Sequence, residues 1–268
     1  MARSREMTLS LPPFTRAVTW LLAINTAVFL LLELFGMTLI DVARWVRDNL
    51  ALEPQAVVHG ALWQLVTYSF LHFEFWHWFG NMLGIWMFGS AFEGAWGTRR
   101  FLELYSFGVI GAALTTTVLS YSHVLGNPTI PTVGASGGVF AILIAFGIVF
   151  GENEILMIPF PISLKAKYFV AILIVVTLAF AIQGGGNVAY VAHLGGLFFG
   201  YIYVKFVPRG GIPRPPAGIT ALNHKPGAPH TGNHRLRSDS IFSSPPSAPR
   251  TCISSALSRR SPPAGANG

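Results

Sequence analysis

Six times between residues 16 and 207 the chain runs for fifteen residues or more with at most two charged side chains: over roughly 16 to 37, 74 to 92, 100 to 121, 136 to 150, 168 to 184 and 188 to 207. A helix that crosses a bilayer needs about 20 predominantly apolar residues, and fewer when it is packed inside a bundle. The runs therefore predict an all-α membrane protein of six transmembrane helices. A long outer loop, Met37 to Phe73, separates the first two, and its amphipathic stretch Leu39 to Leu50 is expected to lie in the interface. Composition agrees, since only 11% of the residues are charged where a soluble domain carries about 25%.

Charge is distributed unevenly. Residues 1 to 207 carry ten Lys or Arg against ten Asp or Glu, whereas residues 208 to 268 carry eight basic residues against Asp239 alone, so the whole excess of +7 lies in the tail. That tail is rich in Pro, Ser, Gly and Ala and offers little apolar surface to offset ordering entropy, which predicts a disordered basic segment and not a nucleic-acid-binding domain. Arg3, Arg5, Arg16, Arg99, Arg100, Lys165, Lys167 and Lys205 fall on one side of the membrane if both termini are cytoplasmic. The expected organisation is a cytoplasmic N-terminus over 1–15, a six-helix domain over 16–207 and a basic cytoplasmic tail over 208–268. The first apolar run is too long for a removable signal peptide and is expected to remain as a helix. A single cysteine, Cys252, excludes an intramolecular disulfide.

Polar groups at membrane depth are costly, so they are functional candidates. Ser136 lies in Thr132-Val133-Gly134-Ala135-Ser136-Gly137-Gly138, where a loop with Pro128 and Pro131 turns into an apolar helix. That helix is about 22 Å long against a hydrocarbon core of about 30 Å, so Ser136 is sunk below the outer surface if the other end is at the inner one. His193 follows about five residues after the start of the last helix, some 8 Å down. His77 reaches a similar level on the second helix, with Asn81 one turn deeper on the same face. A hydroxyl, an imidazole and two hydrogen-bond donors thus share one stratum, as acyl transfer requires.

A serine hydroxyl is a weak nucleophile until a base takes its proton, and His193 is the only histidine on the last four helices. No acidic residue falls at this depth to complete a triad, so a Ser136–His193 dyad is expected, its imidazole oriented by packing on Phe140 one turn after Ser136. The positive end of the fourth helix with His77 and Asn81 would stabilise the oxyanion. Gly196 and Gly200, in Gly-x-x-x-Gly spacing, would let the last helix approach the fourth closely.

Over about residues 15 to 205 the chain resembles the rhomboid intramembrane proteases. The resemblance is carried by Trp63-Gln64, His72, the His77-x-x-x-Asn81 pair, Glu93 with Gly97 and Arg99-Arg100, Gly134-Ala135-Ser136-Gly137, and Ala192-His193-Leu194-Gly195-Gly196 with Gly200. It implies a six-helix fold, Ser136 as nucleophile, His193 as general base, and His77, Asn81 and the Ser136 backbone N–H as oxyanion hole. It implies no cofactor, and as partners the lipid bilayer and single-pass transmembrane protein substrates that enter sideways and are cut at small residues near helix-destabilising sequence. Two positions depart from the pattern: Gln64 stands where Arg often follows the tryptophan, which would alter how the loop is anchored, and Phe140 stands where Tyr often lies beneath the histidine. His72 reads either as a residue bordering the site or as an interfacial one.

Other readings fit less well. Gly134-x-Ser136-x-Gly138 fits the nucleophile elbow of soluble hydrolases, but a Pro-containing loop precedes the serine where that fold needs a strand. No His-Glu-x-x-His and no His, Cys and carboxylate cluster points to a metal. A proton-coupled transporter would want deep acids and inverted repeats. A rhomboid-like protein that binds membrane clients without cutting them need not retain both Ser136 and His193. The expected location is multi-pass in a bacterial plasma membrane.

Overall fold

The computed structural model describes residues 12–36, 38–122, 124, 127–157, 162–183 and 188–206. The N-terminal residues 1–11 and the basic tail 208–268 lie outside these, as does His123. Helix α1 spans Arg16–Gly36. Short helices α2 (Ile40–Leu50), α3 (Pro54–Val58) and α4 (Gln64–Thr67) follow, with a 3₁₀ turn at Tyr68–Phe70. Helix α5 (Phe75–Gly84) passes through a π turn at Ile85–Gly89 into α6 (Ser90–Tyr121), and α7 (Ser136–Val149), α8 (Ala166–Gln183) and α9 (Val188–Phe206) complete the chain.

Two helical stretches, Arg16–Gly36 and Phe75–Tyr121, are long and apolar enough to cross a membrane. The second is broken at Gly97, whose φ of 81° and ψ of 161° lie outside the helical region. Only glycine adopts that backbone readily, so the chain turns there at no steric cost. The break falls between the second and third apolar runs of the sequence. Just before it, Glu93 is buried and its carboxylate accepts from Thr15 Oγ1 at 2.5 Å, Thr98 Oγ1 at 2.6 Å, and the N–H groups of Ala17 at 2.8 Å and Val18 at 3.0 Å. One acid thereby satisfies N–H groups at the start of α1 that lack an intrahelical partner, and ties them to the Gly97 turn.

The residues expected as an outer loop fold into α2 to α4. Gln64, almost fully buried, accepts from the Glu53 N–H at 3.0 Å and donates to Asn49 O at 3.3 Å, while Trp63 Nε1 donates to Asn49 O at 2.8 Å. The amide at position 64 thus anchors the segment through backbone groups. That segment also grips the chain ahead of α7: Leu52 and Thr132 exchange two backbone hydrogen bonds of 2.9 Å, Gln55 N–H donates to Pro128 O at 3.0 Å, and Gly134 N–H to Tyr68 O at 3.0 Å.

The all-α expectation needs one correction. Between α7 and α8 an antiparallel ribbon pairs β1 (Glu154–Met157) with β2 (Ile162–Lys165), in the register Glu154 with Lys165 and Met157 with Ile162. The residues that join its strands, 158–161, lie outside the described residues. At its base, hydrogen bonds from Lys165 (2.8 Å) and Lys167 hold the exposed Glu152 carboxyl down at about 2.

The core joins α6, α7 and α9. Phe92, Phe101, Leu104, Ala112, Ala113, Ala141 and Ile142 are fully buried. A Cβ on Gly108 would collide with the Ala141 Cβ, and one on Gly200 would sit 2.6 Å from the Ala141 Cα. Contacts this close need small residues on both sides.

Candidate active site

Ser136 is the first residue of α7 and is half-buried. No side chain caps this helix end, so N–H groups of its first turn point out of the helix without an intrahelical acceptor. Ahead of it Gly134 takes φ 113°, a left-handed conformation that turns the chain sharply into the helix. A Cβ there would lie 2.6 Å from both Cε1 and Nε2 of His77 and 3.5 Å from Asn81 Nδ2. The His77 imidazole therefore rests on the bare backbone of Gly134, two residues before Ser136, with the Asn81 amide beside it. Both come from one face of α5, as their spacing of four predicts.

His193, in the second turn of α9, stacks on Phe140 with ring centroids 4.3 Å apart and planes at 19°. Phe140 lies one turn along α7 from Ser136, so the imidazole is held on the part of α7 that also carries the hydroxyl. A Cβ on Gly196 would collide with Gly137 O, the main chain next to Ser136, and a Cβ on Gly137 would lie 2.6 Å from the Ala112 Cβ. Helix α9 is thus seated directly on the start of α7. Among the described contacts no hydrogen bond joins Ser136 to His193.

His72 is fully buried. Its Nε2 lies 3.1 Å from Asn81 Nδ2 and 3.3 Å from the Ala135 nitrogen, and its ring meets that of His77 edge-on at 5.2 Å. Asn81 Nδ2 also donates to His77 O at 2.9 Å. His72 is thus shielded from solvent and packed against Asn81 and the Ala135 backbone.

The structure adds two residues that the sequence pattern did not single out, Tyr68 and Tyr190, and gives a contact to Ala135, which the sequence named only as part of the serine motif. Tyr68, fully buried, donates from its hydroxyl to Val109 O at 2.8 Å and would lie 2.9 Å from a Cβ on Gly137. Tyr190 meets the His193 ring edge-on at 5.9 Å. Ala135 supplies the N–H that meets His72. Of the two new residues only Tyr190 had a local signal, an aromatic three residues before the histidine on the same helix face. Among the described residues no group of three or more His, Cys, Asp or Glu could hold a metal ion.

Residues 59–209 match the family model described as Rhomboid domain. The chain is 29% identical over 208 residues to Rhomboid protein 1, mitochondrial, of Saccharomyces cerevisiae, covering 74% of this chain and 57% of that protein. It is 31% identical over 191 residues to Putative rhomboid protease YdcA of Bacillus subtilis, covering 69% and 85%. It is 28% identical over 193 residues to Presenilin-associated rhomboid-like protein A, mitochondrial, of Danio rerio, covering 71% and 48%. The chain thus spans about half the length of the yeast and zebrafish proteins.

Proposed function

The chain belongs to the rhomboid family of membrane-embedded proteins, and from that premise we propose that it is an intramembrane serine endopeptidase that hydrolyses peptide bonds of single-pass membrane proteins with a Ser136–His193 dyad. The observation that carries the reading is the seating of His193 on Phe140, one turn from Ser136, with the Gly196 backbone pressed against Gly137. A nucleophile and a base carried by two helices locked in this way are held near each other by their backbones. In enzymes without substrate such hydrogen bonds are often long and tighten only in the Michaelis complex.

In the reaction, Ser136 Oγ attacks the scissile carbonyl as His193 accepts its proton, forming a tetrahedral intermediate. Its oxyanion takes hydrogen bonds from the Ser136 N–H at the start of α7 and from His77 and Asn81, all on the Gly134 side of the serine. Collapse expels the amine, which leaves with the proton from His193, and an acyl ester remains on Ser136. Water, deprotonated by the same imidazole, attacks the ester and releases the second product. Phe140 and Tyr190 orient the ring in the absence of a carboxylate.

Six spans accommodate this arrangement: α1, Phe75 to Trp96, Thr98 to Tyr121, α7, α8 and α9. The starts of α7 and α9 then lie on one side of the membrane, and Arg99, Arg100, Lys165, Lys167 and Lys205 on the other, as the positive-inside bias favours. The basic side is the cytoplasm if the chain lies in a bacterial plasma membrane. Relatives named mitochondrial as well as a Bacillus protein share the match.

The test is cleavage of a model single-pass substrate in proteoliposomes by wild type, Ser136→Ala and His193→Ala, with phosphonate labelling of Ser136 as a second readout. Both variants are expected to lose turnover and labelling while staying folded, since each removes half of one unit. Turnover by folded Ser136→Ala would refute the assignment. Wild type that binds the substrate and leaves it intact would instead place the chain with rhomboid-like proteins that bind clients without cutting them.

A further inference from the structure

The main-chain nitrogen of Ala135 can only donate, and it points at Nε2 of the fully buried His72 from 3.3 Å. That nitrogen must therefore carry its lone pair, and the ring is neutral with its proton on Nδ1. The same lone pair fixes the Asn81 side chain: with an acceptor 3.1 Å away, the amide must turn its Nδ2 toward His72, and the second Nδ2 proton goes to His77 O at 2.9 Å. One imidazole nitrogen thus determines two orientations, that of the Asn81 amide on α5 and that of the peptide ahead of Ser136, elements 54 residues apart in sequence. Both Asn81 protons are engaged in the resting site. For Asn81 to donate to an oxyanion its bond to His77 O must lengthen, while the bond to His72 is kept as the pivot of the amide.

We propose that His72 is a positioning residue for the oxyanion donors: through an unprotonated Nε2 it holds the Asn81 amide and the Ala135 peptide, and with them the turn that presents the Ser136 N–H. The inference rests on the Ser136 reading above and extends it to a residue that touches neither substrate nor nucleophile. It specifies an acceptor at the position of Nε2, which a residue that merely filled space would not require. Gln places its carbonyl oxygen near that point; Leu fills the volume without an acceptor; Asn carries an acceptor too short to reach.

The experiment measures kcat and KM for the model substrate in proteoliposomes with His72→Gln, His72→Leu, His72→Asn and Ser136→Ala, together with thermal unfolding of each. Expected are a fall in kcat of about ten- to hundredfold for Leu and Asn at nearly unchanged KM, and recovery to within about fivefold of wild type for Gln. A double-mutant cycle with Asn81→Ala should show non-additivity, His72→Leu costing much less once the amide is gone. Should His72→Leu fail to fold, the contrast between Gln and Asn decides the matter. The proposal is overturned if Leu or Asn turns over like wild type, if folded Gln is as impaired as Leu, if KM and not kcat carries the loss, or if the double mutant is additive. Turnover by Ser136→Ala would overturn the underlying reading first, and is recognised separately because it leaves the Gln–Leu comparison intact.

Discussion

Gly134→Ala isolates the contact on which the oxyanion side depends. The added methyl would start 2.6 Å from Cε1 and Nε2 of His77. Carbon pairs settle at about 3.5–4.0 Å, so the imidazole must retreat by about 1 Å. A shift of about 1 Å in a group serving the transition state can cost a hundredfold, or about 2.7 kcal/mol of barrier. Separately, holding a residue with a Cβ at the φ of 113° seen here costs about 1–2 kcal/mol of stability. The expected variant is therefore folded, slightly less heat-stable, and about a hundredfold slower in kcat on the single-pass substrate. It should still label with a small phosphonate, because Ser136 and His193 are untouched. In a His77→Ala background the substitution should cost little beyond its backbone strain, since the ring it displaces is absent. Wild-type turnover by folded Gly134→Ala, or a full further loss on top of His77→Ala, would refute the role assigned to this contact.

Glu93→Ala leaves the N–H groups of Ala17 and Val18 without the acceptor they share, and at about 1–3 kcal/mol for each buried donor it should lower the unfolding midpoint markedly, with Glu93→Gln milder. Gly196→Val drives a side chain into the Gly137 carbonyl, so turnover and phosphonate labelling should fall together in reconstituted protein. Phe140→Ala removes a stacked ring beneath His193 worth about 0.5–1.5 kcal/mol, a fall of about two- to twelvefold in kcat, whereas Phe140→Tyr keeps the ring and should stay near wild type.

The long helices were legible because lipid leaves a strong mark on composition: the runs read at 136 to 150 and 188 to 207 end within a residue of α7 and α9. The pair His77 and Asn81 was legible for a similar reason, since a spacing of four means one face whatever the helix packs on. Gly97 was readable as a turn from its place between two apolar runs. Between Met37 and Phe73 the amphipathic stretch Leu39 to Leu50 coincides with α2, but α3 and α4 were not legible, because they are too short to be stable by propensity and exist through contacts such as Gln64 to the backbone of Glu53 and Asn49. The β ribbon was missed because its strands are only four residues each, and although Ile162-Ser163-Leu164-Lys165 alternates, Ile155-Leu156-Met157 does not. His72 stayed ambiguous because its meaning lies in Ala135, 63 residues away, and no local pattern reports a contact of that range.

The two halves of the site are held by forces of different stiffness. Between α7 and α9 the backbones touch at Gly137 and Gly196 and again at Ala141 and Gly200. Repulsion there rises steeply, so the two backbones that carry Ser136 and His193 have little freedom to move relative to each other. On the side of α5 the connection runs through hydrogen bonds, from Asn81 and Ala135 to His72 and from Asn81 to His77 O, each contributing about 1 kcal/mol net and yielding more readily to displacement. In the proposed reaction an oxyanion forms only transiently, so donors that can shift onto it would suit the second side, while proton transfer between Ser136 and His193 would need the first to be rigid. Substitutions should sort accordingly. Those in the α7–α9 seam remove labelling and turnover alike, and those around His72, His77, Asn81 and Gly134 depress turnover while Ser136 remains reactive toward the probe.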